Sequence, residues 1–132
     1  MDSKFVIVLI LTWLIFMVCA IVNGVIRNTV FKPMVGEQTA HQISTIVFMT
    51  IIFILTYIVL RYSSLKISDS ETLLIGGIWL VLTIAFEFLA GHYAFGNSWE
   101  HLLADYNILK GRIWSLVLVT IFLSPYLSNK LL

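Results

Sequence analysis

Four long stretches of apolar residues constrain the fold of this chain more than any other feature of its sequence. Glu87 is the only charged residue inside them, and they cover residues 5–26, 43–60, 72–90 and 113–129. A helix needs about 20 apolar residues to cross the hydrocarbon core of a bilayer, which is about 30 Å thick. We therefore predict four transmembrane spans, at about 5–26, 41–60, 72–95 and 112–129.

The spans should be α-helices, because backbone polar groups inside lipid must find their hydrogen-bond partners within the same segment. Composition excludes an ordinary soluble domain: 60% of the residues are hydrophobic and 11% are charged, against roughly 25% charged in soluble proteins. The first apolar run is longer than the core of a signal peptide, so we expect it to be retained. The sequence thus predicts an all-α, multi-pass integral membrane protein, a four-transmembrane-helix bundle forming one domain over residues 1–132.

Four spans place both termini and the loop at 61–71 on one side of the bilayer, which we call the plain face. The loops at 27–40 and 91–112 lie on the other side, the polar face. Lysine and arginine divide equally between the faces, so the positive-inside rule gives no orientation. The plain face has Lys4, Arg61, Lys66 and Lys130, and the polar face has Arg27, Lys32, Lys110 and Arg112.

The loop before the fourth span has a helical pattern of its own. Apolar residues recur at i, i+3, i+4 and i+7 from Trp99 to Tyr106, which predicts one short interfacial helix at about 98–110, between helices 3 and 4. Asp105 and Asn107 are hydrogen-bonding residues within this otherwise amphipathic segment, and asparagine is a poor helix former. We interpret this segment as a lid over the polar face, or as a simple solvated surface helix.

Glu87 is the clearest candidate functional residue, since an ionisable group within a span is costly and normally faces the bundle interior. It shares a helical face with small residues, which favours an inward position. Asn23 and Arg27 lie on a similar inward stripe of the first span. An arginine is the natural partner of a desolvated carboxylate. We expect Glu87 to pair with Arg27 or Arg112. The pair would belong either to a functional cluster or to a purely structural contact that holds the helix ends together.

All three histidines fall on the polar face, which allows two cofactor hypotheses. His41 and His92 could ligate a haem iron from opposite sides. Alternatively, His41, His92 and His101 could bind zinc, with an acidic residue such as Glu37 as a further ligand or base. Neither arrangement matches a diagnostic spacing.

The leading hypothesis is therefore a polar pocket at one membrane face that binds or passes a small solute or ion. The predicted ligand-binding residues are Asn23, Arg27, Glu37, His41, Glu87, His92, Asp105, Asn107 and Arg112. A membrane-embedded enzyme or a haem or metal protein using the same pocket is one alternative, and a structural or assembly subunit is another. The net charge of +1 without a basic cluster argues against nucleic acid. Four helices are few to enclose a pathway, so we expect a homo-oligomer or a membrane complex within the lipid bilayer.

Overall fold

Helices account for nearly all of the chain that the structure describes. The structure, a computed structural model, describes residues 3–63, 66–94, 96–104 and 115–131. These residues contain no β-strand. The α-helices are α1 Ser3–Ile26, α2 Lys32–Val35, α3 Glu37–Tyr62, α4 Asp69–Leu89, α5 Trp99–Ala104 and α6 Ser115–Leu131. Two π-helical turns, the first at Arg27–Phe31 and the second at Ala90–Ala94, extend α1 and α4.

Three of these helical segments are long and apolar enough to cross a membrane: Ser3–Val35, Glu37–Tyr62 and Asp69–Ala94. Ser115–Leu131 is also apolar but shorter, with 17 residues. The helices run past the predicted spans, and most of the predicted loop at 27–40 is helical. The reason is that no residue before Gly36 forces the backbone to leave a helical conformation.

The first π turn lies where the sequence requires a change in helical hydrogen bonding. Pro33 follows this turn near the start of α2. Proline has no N–H to donate, and its ring collides with the carbonyl group four residues earlier in a regular α-helix. The wider turn ahead of Pro33 gives that carbonyl group more room beside the ring, and the helix continues to Val35.

Gly36 alone connects α2 to α3. Its backbone has φ +87° and ψ 168°, a region that residues with a Cβ atom rarely adopt. The N–H of Gly36 donates to the carbonyl oxygen of Lys32, and its own carbonyl oxygen accepts from the N–H of Ala40. Both backbone groups of Gly36 are thus hydrogen-bonded within a one-residue turn that reverses the chain.

The four long helices surround a common core in the order α1, α3, α6, α4. The most extensive contacts join α6 to α3 and to α4, while α1 packs against α3 and, at a wider spacing, against α4. Tryptophan side chains fill that wider gap. Trp79 donates to the carbonyl oxygen of Leu9, and Trp13 donates to the hydroxyl of Thr83. In both pairs the residue of α4 comes 70 positions after its partner in α1. The two helices therefore run parallel, and their register is defined.

The contact between α4 and α6 depends on Gly76, which is buried against the backbone of Phe122. A Cβ atom added to Gly76 would lie 2.0 Å from the carbonyl oxygen of Phe122. Thr72, one turn earlier, and Ser124 of α6 are also buried. Small residues let helix backbones approach closely and gain dispersion energy, a common solution where the solvent is itself apolar.

Polar contacts also join α6 to the start of α4 and to the segment before it, at the plain-face end of the bundle. Asn129 donates to the carbonyl oxygen of Ile67, and the ammonium of Lys130 lies 2.8 Å from the carboxylate of Asp69. The Asp69 carboxylate raises the pKa of Lys130 above its ordinary value. Ser68 and Glu71 form a reciprocal capping box at the start of α4, which satisfies N–H groups that have no partner within the helix.

Candidate functional site

Both π turns lie at the end of the bundle that the sequence assigns to the polar face, one in the extension of α1 and the other in the extension of α4. A π turn leaves the regular i to i−4 pattern of backbone hydrogen bonds, and such turns often mark functional sites. The plain-face ends of α3, α4 and α6 have no such turn among the described residues. Irregular helical structure is therefore concentrated where the candidate residues lie.

Asn23 and His41 form a buried polar contact region between α1 and α3. The exposed fraction of Asn23 is 7% and that of His41 is 2%. The amide nitrogen of Asn23 donates to the carbonyl oxygen of Ser44 over 3.1 Å, which links the two helices. The hydroxyls of Ser44 and Thr45 both donate to the carbonyl oxygen of His41. Asn23 thus has a structural role in addition to any role in binding.

Glu87 lies deeper in the bundle than the other candidate residues. It is half-buried and lies about 27 Å along α4 from Asp69, at a rise of about 1.5 Å per residue. The register of α1 against α4, set by the Trp13 and Trp79 hydrogen bonds, places Glu87 level with Met17. Its carboxyl group therefore lies within the apolar length of the bundle.

Arg27 begins the first π turn and is also half-buried. Glu87 is level with Met17, and Arg27 lies ten residues after Met17 in the same helical segment. Arg27 and Glu87 are therefore about 15 Å apart along the bundle axis. The guanidinium of Arg27 folds back along α1 toward Gly24. A Cβ atom added to Gly24 would lie 3.7 Å from Nη2 of Arg27. That direction shortens the separation, and the pairing of Arg27 with Glu87 stays a prediction.

The contacts between α4 and α6 bear on the alternative partner of Glu87. In the contact between α4 and α6, Gly76 lies beside Phe122 and Asp69 lies beside Lys130, so the two helices are antiparallel. Continuing this register places Ser115, the first described residue of α6, level with Thr83. Glu87 is thus about one helical turn beyond that level. Arg112 lies outside the described residues, and its pairing with Glu87 also stays a prediction.

His92 is fixed by an aromatic cluster at the end of α4. Its ring stacks on Trp99 with centroids 3.8 Å apart and an interplanar angle of 12°, and Tyr93 contacts it edge-on. Phe88 also stacks on Trp99. The Nδ1 atom of His92 lies 2.8 Å from the carbonyl oxygen of Asn97. A carbonyl oxygen can only accept, so Nδ1 carries the hydrogen of this bond.

The structure thus places several predicted site residues at the polar face but assigns them to different regions. Asn23 and His41 lie between α1 and α3, Glu87 and His92 belong to α4 and its extension, and Glu37 is exposed at the start of α3. Three predicted residues, Asp105, Asn107 and Arg112, lie outside the described residues, as does the His101 side chain. The predicted interfacial helix is helical from Trp99 to Ala104, and the rest of it also lies outside the described residues.

No group of three or more histidine, cysteine, aspartate or glutamate side chains is close enough to hold a metal ion among the residues with described positions. The haem and zinc hypotheses therefore stay predictions. The sequence analysis identified His92 but missed the aromatic cluster that holds its ring in place. The signal was available, because Phe88, Tyr93 and Trp99 all lie within seven residues of it.

No protein-family model matches this chain, and no curated protein or solved structure does either.

Proposed function

We propose that the chain is an integral membrane protein that crosses the bilayer four times, with α6 as the short fourth span. Its outward surface supports this proposal, because α1 alone exposes a long row of large aliphatic side chains. These include Ile7, Leu11, Leu14, Val18, Ile21 and Val25. Soluble monomers rarely expose continuous apolar patches larger than a few hundred Å².

The buried surfaces support the same proposal. Threonine and serine line the helix contacts, and most of their hydroxyls donate to the carbonyl oxygen one turn earlier in their own helix. An internal partner is needed because lipid offers none. Reporter domains fused before residue 1 and after residue 132 should report the same compartment. Opposite compartments would refute four spans.

We further propose that the polar face binds a small polar solute or ion, with Glu87 as the coordinating or titrating group. The position of Glu87 carries this proposal: it is half-buried and lies level with Met17, near the middle of the apolar run of α1. Keeping an ionisable residue at that depth is costly, and such residues commonly mark ligand or ion sites. The buried Asn23 and His41 supply further polar groups toward the same face.

A direct binding measurement tests the proposal. The detergent-purified protein is titrated by calorimetry with Na⁺, K⁺, Ca²⁺, Zn²⁺ and inorganic phosphate at several pH values. At least one should bind, and Glu87→Gln should weaken that binding about tenfold or more, since a charged hydrogen bond contributes roughly 1.5–3 kcal/mol. Glu100→Gln is the control, because Glu100 is an exposed carboxylate on α5. Equal affinities in the two variants would rule out Glu87 as the binding group.

His92 favours a second candidate, a haem or metal protein that uses the same face. Histidines that ligate metals usually donate their other ring N–H to a carbonyl or carboxylate, which fixes the tautomer. His92 has this arrangement with Asn97. A Soret band in the purified protein would support haem, and zinc found by elemental analysis would support a metal site. Either signal should be lost in His92→Phe and kept in Tyr93→Phe.

A further inference from the structure

The interior between Glu87 and the plain face is filled with large apolar side chains. Phe16, Ile52 and Ile121 have exposed fractions of 0%, Phe48 of 1% and Trp79 of 2%. They come from all four long helices and belong to one contiguous core. Protein interiors of this kind are packed as densely as organic crystals, so they leave no continuous space for water.

Hydrogen bonds hold the bulky side chains of this core in place. The indole of Trp79 is fixed by its bond to the carbonyl oxygen of Leu9, at 3.0 Å, and Phe16 meets that indole edge-on with centroids 5.0 Å apart. The indole of Trp13 is fixed by its bond to Thr83, at 3.1 Å. Moving either indole would leave a buried N–H unsatisfied, which costs about 1–3 kcal/mol.

The hydroxyls at this depth do not form a chain that could carry protons or ions. Thr12 donates to the carbonyl oxygen of Val8 and Thr56 donates to that of Ile52, both over 2.7 Å within their own helices. Thr83 accepts from Trp13. Each of these hydroxyls is therefore engaged with a fixed protein group.

A space toward the plain face that described residues line is small and apolar. A cavity of about 10 Å³ lies among side chains of α1, α3 and α4, including Leu9, Leu60 and Trp79. It holds at most a single water molecule by volume, and its apolar lining offers that water no partner. The close contact of Gly76 with Phe122 seals the neighbouring junction of α4 and α6.

We infer that the ligand site is closed toward the plain face, so that its ligand enters and leaves at the polar face alone. This inference rests on the proposed polar-face site and decides between its two forms: the bundle binds a solute and does not pass it. Binding from one side fits a receptor, a carrier of a bound cofactor, or an enzyme that takes its substrate from one compartment.

Cysteine labelling in vesicles tests the inference, because Cys19 is the only cysteine in the chain. In a Cys19→Ala background, Lys32→Cys marks the polar face and Lys66→Cys marks the plain face, since both lysines are exposed. A membrane-impermeant maleimide is then applied to each side in turn. Glu87→Cys should react only from the polar face. Thr83→Cys, one turn deeper, should react from neither.

Each labelling outcome separates the two proposals. Reaction of Glu87→Cys or Thr83→Cys from the plain face would overturn one-sided closure and leave the polar-face site standing. Failure of Glu87→Cys to react from either face, while Arg27→Cys at the edge of the same face does react, would overturn the site itself. The two face markers show that each variant is inserted.

A flux measurement provides an independent check. Vesicles containing the wild-type protein and the entrapped pH dye pyranine are subjected to a potassium diffusion potential. Proton leakage, read from the dye, should equal that of protein-free vesicles. Leakage above that level that disappears in Glu87→Gln would show that the bundle passes ions, and would overturn the inference.

Discussion

Replacing Gly76 with alanine should destabilise the protein strongly, whereas the same change at Gly77 should not. Gly76 faces the backbone of Phe122, while a Cβ atom on Gly77 would meet nothing within 4 Å. The two positions are adjacent in the same helix, so α4 gains nearly the same helix propensity from either change. Any difference in stability between the variants therefore comes from the contact with α6.

The magnitude follows from the distances. The new Cβ atom would lie 2.0 Å from the carbonyl oxygen of Phe122 and 2.9 Å from its carbonyl carbon. Both are backbone atoms, so a side-chain rotation cannot relieve the contact, and α4 and α6 must separate by about 1 Å. Overpacking a dense core costs typically 1–3 kcal/mol and occasionally more. We expect about 3 kcal/mol here, since the whole junction of α4 and α6 must shift.

The assay is thermal unfolding of the two variants in the same detergent. For a chain of this size about 3 kcal/mol corresponds to a fall in Tm of about 10 °C. Gly77→Ala should match the wild type or exceed it by up to about 1 kcal/mol, because alanine favours a helix over glycine. Equal Tm values for Gly76→Ala and Gly77→Ala would refute the close approach of α4 to α6.

Four further changes test other parts of the fold. Gly36→Ala should lower the free energy of unfolding by about 1–2 kcal/mol, because alanine is strained at a φ of +87°; no change in urea midpoint would contradict the one-residue turn. Asn23→Ala should cost about 1–3 kcal/mol in the same assay through its lost bond between helices, and a neutral result would count against that bond. Ser128→Ala should be neutral or stabilising, since its buried hydroxyl has no hydrogen-bond partner among the described residues; a marked loss would reveal a partner. Lys130→Gln should lower Tm slightly at neutral pH. Because Asp69 raises the pKa of Lys130, the difference from wild type should persist from neutral pH to pH 10.5 and vanish as pH rises through the raised value; a difference that grows at high pH would contradict the ion pair.

The helical segments follow directly from local sequence. A run of apolar residues about 20 long dictates a helix wherever water cannot satisfy the backbone, so α1, α3 and α4 could be located without tertiary information. The ends of the helices could not, because the polar residues of 27–40 are compatible with either a loop or a continued helix. The capping box of Ser68 and Glu71 was also readable from its spacing.

The candidate site was predictable only in part. Hydropathy alone marks Glu87 as an ionisable group in an apolar segment, and the count of spans places the histidines on one face. The aromatic cluster around His92 could be identified only from the structure, since the stacking of His92 on Trp99 depends on how the chain turns after the second π turn. The depth of Glu87 relative to Arg27 also required it, because the register of α1 against α4 is set by tryptophan bonds between distant residues.

Sequence by itself determined that this chain forms long apolar helices, because helix formation arises from neighbouring residues and a period of 3.6. The gathering of its unusual polar residues at one end stays a prediction. Tertiary structure alone decided which residues are essential to the packing. Gly76 and Gly77 are indistinguishable in the sequence, and so are Ser124 and Ser128 on α6. Only the position of Phe122 against α4 makes Gly76 irreplaceable, since a contact between helices depends on where each backbone lies and not on local propensity.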